Sequence, residues 1–295
     1  MKAHFKEFNY YEQHLKFKGD LSLTFDYSNI ITDGFIVQGF CTTDKYYLIS
    51  AYCSLKDNKR NSRIYFYIKE SGDSCGYVVL DNKAHVGGIS FDYRNRVLFV
   101  TGSKGKINVY RYDSLIKSLG GNYLEHVDSD INISYDLPGK VSAATINFYD
   151  NSLYICICSC SGVMLKYDLS YVDDKIIIVN KTLYNCLPPC IQGLVVFNYC
   201  GKKYFLVSQS YRRLKSIIKL YDFDNNFLGQ RIIGFRGLEG IDMDSNGNIH
   251  GVFEFGSTKS FVLNIKNINR SINKFLEKKY FDMGTIHQKK LDIGK

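Results

Sequence analysis

The 295-residue chain has no tryptophan, only three prolines and no apolar run near the roughly 18 residues that a membrane-spanning helix needs. The opening residues Met1-Lys2-Ala3-His4-Phe5-Lys6-Glu7 contain no apolar stretch, so no secretory leader is expected there. Neither a Gly-x-Ser-x-Gly elbow nor a phosphate-binding loop nor a dinucleotide fingerprint occurs. Without them, nucleotide cofactors and α/β-hydrolase chemistry lack their usual footing, and no cofactor is expected. Disorder is excluded as well, because 45% of residues are apolar and 23% charged.

Charge is modest and unevenly placed. Lys and Arg number 38 against 29 Asp and Glu, a formal net charge of +9. Residues 263–295 carry eight of the basic side chains and three acids, so more than half of the excess lies in the last ninth of the chain. Within that segment Ile268, Ile272, Phe275 and Leu276 fall at helical spacing, which predicts a short helix laid against the body under a solvated face. The remainder is nearly balanced, which argues against a nucleic-acid groove. No membrane partner is expected either. Nine cysteines, an odd number without framework spacing, point to a reduced chain. The expected location is therefore cytoplasmic, or secreted if a leader has been removed.

Some cysteines and acids sit at metal-like spacings. Cys156, Cys158 and Cys160 share one strand face at about 6.6–6.8 Å per step, too far apart for Zn–S bonds of about 2.3 Å to one ion. Cys186-Leu187-Pro188-Pro189-Cys190 is half a knuckle without a second pair. Asp242-Met243-Asp244-Ser245-Asn246-Gly247-Asn248 starts like a calcium loop, but Phe253 stands where the bidentate acid belongs. Asn-Gly there suits a hairpin turn instead, and no metal site is expected.

What the chain has in abundance is 24 Tyr, 20 Phe and 24 Gly, a composition suited to pleated, half-buried strands. Five segments share one grammar: a polar residue, a small residue, an apolar run, a turn and a second apolar run. The starts are Gln38-Gly39-Phe40, His85-Val86-Gly87-Gly88-Ile89, Ser142-Ala143-Ala144-Thr145-Ile146, Gln192-Gly193-Leu194 and Glu239-Gly240-Ile241. From the small residue at 39 to those at 88, 144, 193 and 240 the spacings are 49, 56, 49 and 47. A third strand follows in each, such as Arg63-Ile64-Tyr65-Phe66-Tyr67 and Ser216-Ile217-Ile218-Lys219-Leu220-Tyr221. Four antiparallel strands repeated at this period predict an all-β, single-domain β-propeller. Five blades are favoured and six possible, with repeats near 30–80, 81–135, 136–185, 186–230 and 231–266, then the basic segment 267–295. The small residue lets innermost strands approach at the axis. Leu21-Ser22-Leu23-Thr24-Phe25 is available to pair into the last sheet and close the ring.

The alternation of "QG" or "EG" inner strands with outer strands such as Leu98-Phe99-Val100-Thr101-Gly102 and Ile218-Lys219-Leu220-Tyr221-Asp222 resembles the five- and six-bladed propeller superfamily. The NHL-type, gluconolactonase-like and plant-type glutaminyl cyclotransferase proteins are nearest in style, over about residues 30–265. The absence of a Trp-Asp dipeptide separates the chain from the WD-repeat type. No family's catalytic set carries over to these positions.

A propeller opens the loops that enter its innermost strands on one face, so Gln38, His85, Gln192 and Glu239 are expected around the axial mouth. The second strands add Ser50, Tyr52, Thr101, Ser208, Ser210, Tyr211, Arg212 and Glu254. Converging polar groups in a concavity are the default ligand site, although such side chains also serve to bind water and strand ends. His85 suits acid, base or ligand roles. Arg212 suits carboxylate or phosphate recognition, and Glu239 with Glu254 suits acid–base work. The candidate catalytic set is His85, Glu239 and Glu254; the candidate ligand-binding set is Gln38, His85, Gln192, Ser208, Tyr211 and Arg212. Three functions follow: binding of a small polar, anionic ligand by a monomer; lyase, lactonase-type hydrolase or cyclotransferase chemistry in the same pocket; or a scaffold that docks a protein.

Overall fold

A computed structural model describes residues 21–120, 144–157, 162–210, 214–264 and 268–273, apart from positions 56, 58, 174 and 271. Strand β1 (Leu21–Asp26) and the one-turn helix α1 (Ser28–Thr32) precede five antiparallel sheets. The first sheet contains β2 (Phe35–Thr42), β3 (Tyr46–Cys53), β4 (Arg63–Ile68) and β5 (Ser74–Val79). The second has three described strands, β6 (Ile89–Asp92), β7 (Val97–Thr101) and β8 (Ile107–Arg111), followed by helix α2 (Tyr112–Lys117). The third contains β9 (Ala144–Tyr149), β10 (Ser152–Ile157), β11 (Gly162–Val172) and β12 (Lys175–Leu187). The fourth contains β13 (Ile191–Tyr199), β14 (Lys202–Gln209), β15 (Ile217–Asp222) and β16 (Phe227–Ile232). The fifth joins β17 (Leu238–Met243), β18 (Asn248–Phe253) and β19 (Lys259–Asn264) to the amino-terminal β1.

This is a five-bladed β-propeller. The innermost strands contact one another in a closed cycle: β2 with β6, β6 with β9, β9 with β13, β13 with β17, and β17 with β2. Closure is supplied by β1, whose Leu21, Ser22 and Leu23 pair with Leu263, Val262 and Phe261.

The apolar runs of the second and third strands follow from this architecture. A blade is covered on both faces, so the two-residue alternation of a strand sends neighbouring side chains to different interfaces. Leu48, Ile64 and Phe66 pack against Ile89 and Leu98 of the second blade, while Ile49, Tyr65 and Tyr67 pack against Phe25 and Val252 of the fifth. Five apolar clusters result, one at each contact between neighbouring blades. In the cluster between the fourth and fifth blades, Ile268 and Ile272 are fully buried in helical backbone. Residues 268–270, 272 and 273 have helical backbone; the rest of the expected carboxy-terminal segment, Phe275 and Leu276 included, lies outside the described residues.

The calcium-like stretch is a hairpin turn. Asp244 Oδ1 accepts hydrogen bonds from the Asn246 and Asn248 amides, both at 2.9 Å, and Gly247 takes a φ of +77°. Cys156 is buried between the third and fourth blades, and Cys158 and Cys160 lie outside the described residues.

Candidate functional site

The two ends of the axis differ in chemistry. The upper end is where the chain enters each innermost strand, and it contains the expected mouth. Here β2, β13 and β17 each carry a bulge against the second strand of their blade: between Val37 and Gly39, between Ile191 and Gly193, and between Leu238 and Ile241. Gln38, Gln192 and Glu239 therefore occupy equivalent bulged positions, where the extra residue leaves the ladder and its side chain is re-aimed. The following glycines permit close approach. A Cβ on Gly240 would lie 2.2 Å from the Phe40 amide nitrogen, and one on Gly193 would lie 2.7 Å from the Glu239 carbonyl oxygen. In the third blade the pairing puts Thr145 opposite Cys156 and Ile146 opposite Ile155. Thr145, one residue later than the sequence suggests, thus holds the place that Gly39 and Gly193 hold elsewhere.

Glu239 is 6% exposed, and its carboxyl group hydrogen-bonds that of Glu254. Burial, followed by the neighbouring Glu254 charge and this hydrogen bond, pushes the Glu239 pKa well above the carboxylate range. Burial also raises the Glu254 pKa, with the same bond working against it. Two carboxyls this close and this buried hold a proton between them. Tyr52 stands close enough for both glutamates to raise its pKa beyond the effect of burial, so its hydroxyl remains a donor. Its ring stacks on His85, with centroids 4.4 Å apart and planes inclined by 27°. Burial, reinforced by the nearby Lys59 ammonium, lowers the His85 pKa and keeps the imidazole neutral at pH 7. Among the described residues, His85 Nδ1 is buried without a hydrogen-bond partner.

Of the expected site residues, the structure brings His85, Glu239 and Glu254 together around Tyr52. Gln38 is buried beside them in the sequence of bulges, its Nε2 donating to the Val37 carbonyl at 2.8 Å. Gln192 is half-buried on its own bulge. Ser208 serves the framework instead. Fully buried, it donates to the Glu239 carbonyl at 2.8 Å and fixes that bulge. Ser50 does the same between blades, donating to the Val86 carbonyl at 2.7 Å. Tyr211 and Arg212 lie outside the described residues.

The lower end contains residues that the sequence reading missed. A concavity of about 490 Å³ opens there, lined by the ends of β6, β9, β13 and β17 and their hairpins. Inner strands leave backbone groups unpaired on their axial side. Ser90 Oγ accepts the Phe148 amide at 2.7 Å, Asn147 Oδ1 the Val196 amide at 2.9 Å, and Asp242 Oδ2 the Thr42 amide at 2.7 Å. Each bond runs from one blade to the next. Their signal was present as the triplets Gly88-Ile89-Ser90, Thr145-Ile146-Asn147 and Gly240-Ile241-Asp242. Burial raises the Asp242 pKa to about 6 despite these donors. Asp244 is held at about 2, because His250 Nε2, 2.9 Å away, and Asn248 together outweigh its burial.

No protein family and no curated protein matches the chain. Among solved structures it is similar to a structural genomics protein of unknown function from Bacteroides thetaiotaomicron, with 11% identity and a TM-score of 0.47 over 76% of this chain. The chain spans 58% of the length of that protein. It is also similar to U3-55K, with 9% identity and a TM-score of 0.46 over 83% of this chain and 98% of that one. A third likeness is to the WD40 β-propeller domain of Doa1, with 9% identity and a TM-score of 0.43 over 84% of this chain and 97% of that one. Such likeness concerns the fold alone. Among the described residues, no helix is long and apolar enough to cross a membrane.

Proposed function

We propose that the upper mouth binds a small polar ligand, with Glu254, Glu239, Tyr52 and His85 as its polar contacts and Gln38 and Gln192 on the flanking bulges. The observation that supports this reading is the proton-sharing glutamate pair beneath a tyrosine that stacks on a buried, neutral histidine. A structural role alone leaves the His85 Nδ1 atom without a partner among the described residues, and buried polar atoms rarely remain so. The carboxyl pair favours a ligand that donates hydrogen bonds. An anionic ligand draws its support from Lys59 and from Arg212, the latter outside the described residues.

Thermal denaturation with myo-inositol, glutamine, glucose and citrate at millimolar concentration tests this reading. At least one should raise the midpoint in a concentration-dependent way, and Glu254→Gln should abolish that shift. The reading fails if no compound shifts the midpoint, or if the shift survives both Glu254→Gln and His85→Ala.

The glutamate pair also favours an enzymatic reading, because one protonated and one ionised carboxyl are the parts of acid–base catalysis. In that case Glu254→Gln or His85→Ala abolishes turnover of the bound compound while leaving the thermal midpoint intact.

A further inference from the structure

We propose that the lower end of the axis is a second binding site, specific for a small organic cation: a primary ammonium carried on an apolar or aromatic body. The inference is independent of the upper mouth.

The concavity has an apolar wall and one under-compensated carboxylate. Phe148, Phe197, Val196 and Met243 supply the wall, and its volume of about 490 Å³ lies in the range of small-molecule pockets. Four aspartates border it, in a chain whose formal charge is +9. Three have their own partners. Asp150 pairs with Lys203 at 2.7 Å, and Asp244 with His250 at 2.9 Å. Asp92 accepts from the Arg94 and Asn95 amides, the Asn95 side chain and the Tyr171 hydroxyl.

Asp242 differs. Its Oδ2 takes the Thr42 amide and hydroxyl at 2.7 and 3.0 Å; His250, opposite it on β18, bonds Asp244 instead, and none of the described ion pairs reaches Asp242. Among the described residues, Arg94 is the single basic side chain along the lining, and it is exposed. A half-buried carboxylate with no ion pair of its own among the described residues, set beside an apolar wall, is complementary to an ammonium group with an apolar tail. Tyr93, held by its hydroxyl against Thr42, adds an aromatic face for cation–π contact.

The test uses tryptamine, with tryptophol as the neutral counterpart of the same shape, titrated calorimetrically into the full-length chain at pH 7.5. Tryptamine should bind saturably and raise the thermal midpoint, while tryptophol binds at least tenfold more weakly. Asp242→Asn, which keeps an acceptor for the Thr42 amide, should weaken tryptamine at least tenfold, and Glu254→Gln at the opposite end should leave its affinity unchanged. Should Asp242→Asn fail to fold, Met243→Lys on the half-buried rim supplies an internal ammonium and should block tryptamine equally. The proposal is overturned if tryptamine does not bind, if tryptophol binds as tightly, or if whichever of Asp242→Asn and Met243→Lys folds retains full affinity. Loss of ligand shifts at the upper mouth alone leaves this site standing, so the two readings fail separately.

Discussion

At the residue scale, the axis is governed by what lies within 3 Å of a missing side chain. Gly240 faces backbone: its Cβ would stand 2.2 Å from the Phe40 nitrogen and 2.7 Å from the Gly39 carbonyl carbon. Neither atom can yield without displacing the innermost strand of the first blade, so Gly240→Ala forces two blades apart. A loss of about 3 kcal/mol is expected, in the upper range for overpacking, read as a lower urea midpoint. Gly234 is the control, since nothing lies within 4 Å of its Cβ and its φ is not positive. Gly234→Ala should leave stability unchanged or raise it by about 0.5 kcal/mol through the unfolded chain. Equal effects at the two positions would refute the close-approach argument. The requirement for a small residue was legible in the sequence because a polar–small pair recurs. The third repeat was misplaced by one residue because Ala143, Ala144 and Thr145 are all small, and only cross-strand pairing distinguishes them. The strand-end hydroxyls were readable as ligand groups, yet Ser50 and Ser208 are engaged by carbonyls of the neighbouring blade. Sequence shows a hydroxyl at a strand end but not the backbone group across the interface.

At the element scale, the decisive piece is the amino-terminal strand. Phe25 of β1 stacks on Tyr47 with centroids 5.1 Å apart and lies 4.7 Å from Tyr67, both in the first blade. It thus joins the fifth blade, to which β1 belongs, to the next blade in the ring. Phe25→Ala should cost about 3–4 kcal/mol, as truncating a buried aromatic usually does. Leu23→Ala on the same strand, 43% exposed, should cost well under 1 kcal/mol. Comparable losses from the two variants would mean that β1 contributes only backbone pairing. Most elements were visible because doubly covered strands read as apolar runs bounded by turns. The length of the β11–β12 hairpin was not. Its turn uses Asp173 at a φ of +47° rather than a glycine, and β12 leaves Ile177, Val179 and Leu183 largely exposed, so the burial that normally marks a strand is missing. The pairing of Glu239 with Glu254 was also only half legible. Each could be assigned to the upper mouth, but their contact depends on the bulge in β17, which no single-strand pattern reports.

At the scale of the whole molecule, stability and function both depend on closure. Five interfaces of similar apolar character leave no blade with a free inner face, and both ends of the axis draw residues from several blades. The seam where β1 meets β19 is the one place where a single sheet is assembled from the two ends of the described chain. Loop-closure entropy must be overcome there over nearly the full sequence before the seam's contacts are gained. A covalent bond across the seam should therefore act on the whole ring. Ser22 and Val262 are direct partners in the antiparallel register, which places their Cα atoms at about 4.5–5.5 Å, within the reach of a disulfide. The double variant Ser22→Cys, Val262→Cys, combined with Cys200→Ser to remove an exposed thiol, should gain up to about 5 kcal/mol on oxidation by the chain-entropy argument. The gain should appear as a higher urea midpoint and slower unfolding, and should vanish on adding dithiothreitol. If the oxidised and reduced forms unfold at the same rate and midpoint, opening begins elsewhere in the ring and the seam is not its weakest joint.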